Sequence, residues 1–137
     1  MGESIPKLNC KWNDVVQFSA LDPQLIVNEL RKYQDDLRLG RTKYFKIHVN
    51  QVSDIYDGVI FDRKSKVKGS FTIDDSEVVS FSTDSYNELN EVPAETIKYW
   101  EKIKNEGGKF LWFPFITHIL IKGKIETKDF QICELKL

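Results

Sequence analysis

The sequence predicts an α+β fold: an antiparallel β-sheet of about five to six strands, with an N-terminal helix and a second helix inserted before the last two strands, both packed on the sheet. Three observations lead there. Apolar residues recur at helical spacing in 22–39 and again after Pro93, but alternate at period two through most of the chain between and after them. Short polar breaks suited to hairpins separate the alternating runs. No repeat, low-complexity tract or linker interrupts the 137 residues, a length that suits a single globular domain spanning 1–137.

The first helix is announced by Asp22-Pro23. The carboxylate accepts a bond from a free backbone amide, and proline occupies the first turn, where its missing donor is not needed. Ile26, Leu30, Tyr33 and Leu37 form one stripe that should lie on a sheet, and Gly40 is suited to the left-handed conformation that ends a helix. After Gly40, Phe45, Ile47 and Val49 form one face of a first strand. Val59 and Phe61, then Val67, Phe71 and Ile73, then Val79 and Phe81 continue the pattern. Asp57-Gly58, the Arg63 to Lys66 stretch and Asp74-Asp75-Ser76 serve as breaks, and a meander is the simplest arrangement.

Periodicity disappears from Thr83 to Val92, which reads as loop. Pro93 opens the second helix, whose Ile97, Trp100 and Ile103 point inward, and Gly107-Gly108 stops it. The aromatic run Phe110 to Phe115 leads into a strand with Phe115, Ile119, Ile121 and Ile125 on one face, where Pro114 implies an edge or a bulge. A last strand runs from Asp129 to Leu137.

Composition narrows the functional classes. Hydrophobic residues are 41% and charged residues 30% of the chain, the balance of a globular protein. Cys10 and Cys133 are too few and too far apart for a disulfide framework or a CxxC metal site, and read as reduced thiols in a cytoplasmic protein. Lys7, Lys11 and Asp14 interrupt any signal-peptide core, Pro6 breaks the myristoylation pattern after Gly2, and no apolar stretch is long enough for a membrane helix.

Chemistry-bearing motifs are sparse. His48 and His118 alone titrate near neutrality without help, and as a pair they would suit acid and base roles on a phosphodiester. Neither stands in the HxT pattern of two-histidine phosphoesterases, and two surface histidines need no functional account. Asp74, Asp75 and Glu77 lack EF-hand spacing, and Glu106-Gly107-Gly108-Lys109 lacks the Walker spacing, so no metal and no cofactor is expected. The basic knot Arg63, Lys64, Lys66 and Lys68 is hemmed by Asp57, Asp62, Asp74 and Asp75, and a pI of about 6.1 argues against direct nucleic-acid binding.

Charge segregation is the least ordinary feature. The net charge of −1 conceals twenty-nine residues, 69–97, that contain seven acids and no Lys or Arg, leaving the remainder at +6. Such a run sets up a negative field that steers a basic surface. The leading expectation is a non-enzymatic binding protein, such as an immunity protein or a phage anti-defence inhibitor, that blocks a basic cleft of a nuclease or toxin. Asp74, Asp75, Glu77, Asp84, Glu88 and Glu91 would supply complementarity, and Tyr86 and Trp112 the apolar anchors. The alternatives are a small phosphodiester-cleaving or nucleotide-acting enzyme using His48 and His118, and a structural subunit contacting its assembly through Phe110 to Phe115.

Overall fold

Three consecutive apolar residues, Ile119, Leu120 and Ile121, are all buried. Because neighbouring side chains leave a strand on opposite faces, that run demands a strand covered on both sides. In the computed structural model, which describes residues 4–8, 10–62 and 75–137, it sits inside a four-stranded sheet.

The described elements are, in chain order, β1 (Ser4–Ile5), β2 (Cys10–Lys11), β3 (Val15–Ser19), α1 (Pro23–Leu30), β4 (Lys43–Lys46), α2 (Asn50–Ser53), β5 (Gly58–Phe61), β6 (Val78–Ser80), α3 (Ala94–Glu106), β7 (His118–Lys122) and β8 (Gln131–Glu134). The main sheet has the order β3-β7-β5-β6, antiparallel throughout, while β1 pairs with β2 and β4 with β8 as separate two-stranded ribbons. The fold is therefore α+β, built on antiparallel sheets.

One face of the main sheet carries Val59, Phe61, Val78 and Leu120 under Ile5 and Leu8 of the N-terminal segment. The opposite face carries Ile60, Ile119 and Ile121, with Phe18, Phe81 and Tyr86 against them. The stripes of α1 and α3 meet in a third cluster of Leu21, Ile26, Leu30, Val92, Trp100 and Ile116. β5 and β7 approach closely at Gly58, where a Cβ would lie 2.6 Å from the Ile121 side chain and 2.9 Å from the Leu120 carbonyl oxygen, so only glycine fits.

Several sequence expectations are corrected. The strands do not form a meander: β7, late in the chain, inserts between β3 and β5. Its run of consecutive buried residues fits an interior strand, which hairpin order alone does not reveal. Helix α1 ends at Leu30, and the chain then tightens into turns through bonds such as Tyr33 N to the Leu30 carbonyl. Asp35-Asp36 favours such local turns over continued helix. Tyr33 and Leu37 still reach the helical cluster, and Gly40, well past the helix end, is not in the left-handed region.

Strand β4 stops at Lys46, before Ile47 and Val49, and pairs with β8, so the last two strands are not neighbours. Phe45, read as part of one face of the first strand, is 47% exposed and meets the Phe130 ring edge-on at 5.9 Å, because the β4 ribbon lies outside the main sheet. The last strand is shorter than expected, and the strand assigned to Val67, Phe71 and Ile73, like the basic knot, lies outside the described residues. β3, which carries no clean alternation, was not anticipated.

The aromatic run is a loop rather than the start of a strand, and α3 staples it down. Buried Thr96 Oγ1 donates to the Pro114 carbonyl at 2.6 Å, Trp100 Nε1 to the Leu111 carbonyl at 2.8 Å, and the Tyr99 hydroxyl to the Lys109 carbonyl at 2.9 Å. Phe115 takes a left-handed backbone (φ 62°) as the chain turns toward β7.

Candidate functional site, a groove between the main sheet and the β4–β8 ribbon

Two adjoining cavities of about 380 and 470 Å³ share Ser19, Pro23, Tyr44, Phe45, Ile47, Val49 and Tyr86 and together make one groove. One wall is the chain from Val16 to Asp22, and the other the chain from Tyr44 to Val49. The end near Val16 is apolar, closed by Phe18, Phe81, Phe113 and Ile119. The end near Asp22 adds Lys46, His48, Glu88 and Asp129.

The ribbon wall is fixed to the start of α1. Asp22 Oδ1 accepts both the Gln24 backbone N–H at 2.9 Å, as the helix cap requires, and the Tyr44 hydroxyl at 3.0 Å. Burial, reinforced by Asp22, holds the Tyr44 phenol well above its ordinary range, so it remains a donor. Gln24 also bonds both the carbonyl and the amide of Lys136, just beyond β8.

The segment 81–93 closes the groove's third side and is ordered by its own polar groups. Ser82 and Ser85 exchange backbone-to-hydroxyl bonds of 2.9 and 3.1 Å, and Leu89 makes a parallel bridge to Leu21 with its N–H on the Ala20 carbonyl at 3.1 Å. Tyr86 packs half-buried and edge-on against Phe81, at 6.3 Å between ring centres. Burial, then the nearby Glu88, raise its phenol pKa.

The acids expected to form one surface fall into different settings. Asp74 lies outside the described residues. Asp75 pairs with Lys7 at 3.6 Å, and Glu77 is half-buried. Asp84, Glu88 and Glu91 are exposed, and none makes an ion pair among the described residues. Trp112 is half-buried against the helical cluster, whereas Tyr86 lines the groove. Sequence reasoning did not mark Val16 (38% exposed) or Phe45 as site residues, and it named Phe113 (41%) only within the aromatic run; these are the more exposed apolar residues of the groove.

The two histidines are not joined by a hydrogen bond. His48 is exposed on the groove wall. His118 Nδ1 lies 2.7 Å from the Ile116 carbonyl, so that nitrogen carries the proton, and the ring meets Phe113 edge-on at 5.6 Å. Burial lowers its pKa, opposed in part by that backbone bond. Among the described residues no three His, Cys, Asp or Glu side chains gather as metal ligands, and no helix is long and apolar enough to cross a membrane. No family model, curated protein or solved structure matches the chain.

Proposed function

We propose that the protein is a non-enzymatic binding protein of the inhibitor kind, one that meets a basic surface of a protein partner with the carboxylates of segment 84–91 and occludes that partner's cleft. The observation that carries this reading is that Asp84, Glu88 and Glu91 stand exposed, without an ion pair among the described residues, on a segment tied to the core by Tyr86 and Leu89. Charges held on an ordered segment and left without counterions steer a cationic partner and raise its association rate. Asp75 contributes less, since Lys7 already faces it. Free Cys10 and Cys133 suit a reducing, cytoplasmic setting. A two-histidine phosphodiester chemistry has less support, because the His118 Nδ1 proton is committed to a backbone carbonyl and burial disfavours the ring's charged form.

The test begins with affinity capture from the native host and identification of the bound protein. The triple variant Asp84→Lys, Glu88→Lys, Glu91→Lys is then compared with the wild type by surface plasmon resonance. The expected result is an association rate at least tenfold slower, with a flatter salt dependence and an unchanged melting temperature. Equal association rates would remove the reading.

A further inference from the structure

The two edges of the main sheet are treated differently. Bonds from Asp62 N to the Glu77 carbonyl and from Phe81 N to the Gly58 carbonyl set the register of β6, so the backbone groups of Val78 and Ser80 point away from β5. Both outward carbonyls are occupied: Lys7 Nζ donates to Val78 at 2.7 Å and Ser85 Oγ to Ser80 at 2.8 Å. That edge is blunted against further pairing.

β3 has no such cover among the described residues. Bonds from Ala20 N to the Thr117 carbonyl and from Gly123 N to the Asp14 carbonyl show that Val16, Phe18 and Ala20 direct their backbone groups to β7. Those of Val15, Gln17 and Ser19 therefore point outward, and none has a hydrogen-bond partner among the described residues. The groove runs along this edge. Its wall includes four consecutive residues, Val16 to Ser19, and since alternate side chains leave opposite faces, a cleft lined by all four follows the strand's edge rather than one face.

We infer that this groove is a strand-addition dock: an extended segment of a protein partner pairs with the outward backbone groups of β3, seats apolar side chains against Val16, Phe18 and Phe45, and places a Lys or Arg at the Asp22 end. This rests on the binding-protein reading above and names the partner's form and chemistry. The basic residue follows from charge: Asp22, Glu88 and Asp129 line that end against the single cation Lys46 among the described residues, and neither Glu88 nor Asp129 has an ion pair among them. A second copy of this chain paired through β3 fits less well, since Val15–Ser19 contains no Lys or Arg to meet those carboxylates. Five residues of β3 accommodate an added strand of roughly 16 Å.

The test uses short random peptides displayed on phage, selected on the full chain, with the best sequence then synthesised and titrated by fluorescence anisotropy. Selected peptides should alternate apolar residues and carry Lys or Arg toward one end. Gln17→Pro removes an outward N–H while leaving the bonds to β7 in place, and should weaken binding roughly tenfold or more. A second arm leaves the protein untouched: N-methylation of the peptide at alternate backbone positions should abolish binding in one phase and spare it in the other. Failure to select any peptide, or affinity insensitive to both Gln17→Pro and the phase of N-methylation, overturns strand addition. Peptides that need the β3 edge yet lack Lys and Arg, and bind equally to Glu88→Lys/Asp129→Lys, would support strand addition while overturning the basic-partner reading on which its charge assignment rests.

Discussion

The helical flank and the groove flank of this molecule use similar residue types to opposite ends. On the helical flank Trp100 has no exposed surface, its indole N–H is bonded to Leu111, and Thr96 ties the buried Pro114 carbonyl. On the groove flank Val16, Phe45 and Phe113 remain well exposed, and the outward amides of β3 have no partner among the described residues. Apolar area removed from water stabilises at about 25 cal/mol per Å², whereas the same area left open beside free backbone groups is available to another chain. The difference puts the enclosed apolar cluster on the side where α1 meets α3 and the exposed apolar residues on the side where the ribbon faces β3, which is the side the proposed docking would use.

The largest expected effect lies on the helical flank. Trp100→Ala should cost about 3–5 kcal/mol in urea unfolding, because the fully enclosed indole leaves a cavity. Thr96→Val keeps the shape but leaves the Pro114 carbonyl buried without its donor, and should cost about 1–3 kcal/mol. Gly58→Ala is a comparable disturbance between β5 and β7, about 1–3 kcal/mol, since a Cβ would press on the Leu120 carbonyl oxygen. A loss below about 0.5 kcal/mol for Trp100→Ala would break the comparison.

A smaller, pH-dependent effect belongs to His118. Its pKa is lowered in the folded state, so the unfolded chain binds more protons in the window below the ordinary value of 6.5. Its contribution is therefore fully present above that value and is lost as pH falls through the folded-state pKa. Melting curves from pH 7.5 to 5 should show a decline that His118→Asn reduces. The smallest effect on stability should come from the groove: Phe45→Ser should change unfolding free energy by no more than about 0.5 kcal/mol while weakening a docked apolar segment several-fold. If it destabilised the fold as much as Thr96→Val, the groove would belong to the core.

The parts of this picture that were legible in the sequence are those fixed by local chemistry. Asp22-Pro23 marked the start of α1, Pro93 and Gly107-Gly108 bracketed α3, Val59 and Phe61 marked β5, and Ile119 and Ile121 marked β7 and one of its faces, although the strand ends at Lys122, before Ile125. What local chemistry does not encode is partnership between distant segments. That β7 enters between β3 and β5 depends on long-range pairing, and β3 itself, VVQFS, carries too little alternation to stand out. Period two places Phe45 on a strand face but does not say what covers that face, and it is 47% exposed. The acidic run was visible as composition. The pairing of Asp75 with Lys7 across 68 positions was not, and neither was the separation of Trp112 from Tyr86 into different clusters.

Amide hydrogen exchange along β3, followed residue by residue by NMR with and without a selected peptide, tests the central claim most directly. In the free protein the amides of Val16, Phe18 and Ala20 should exchange slowly and that of Gln17 fast, and peptide binding should slow Gln17. A Gln17 amide already as protected as its neighbours, or one that still exchanges freely in the complex, would contradict an open edge completed by a partner's strand.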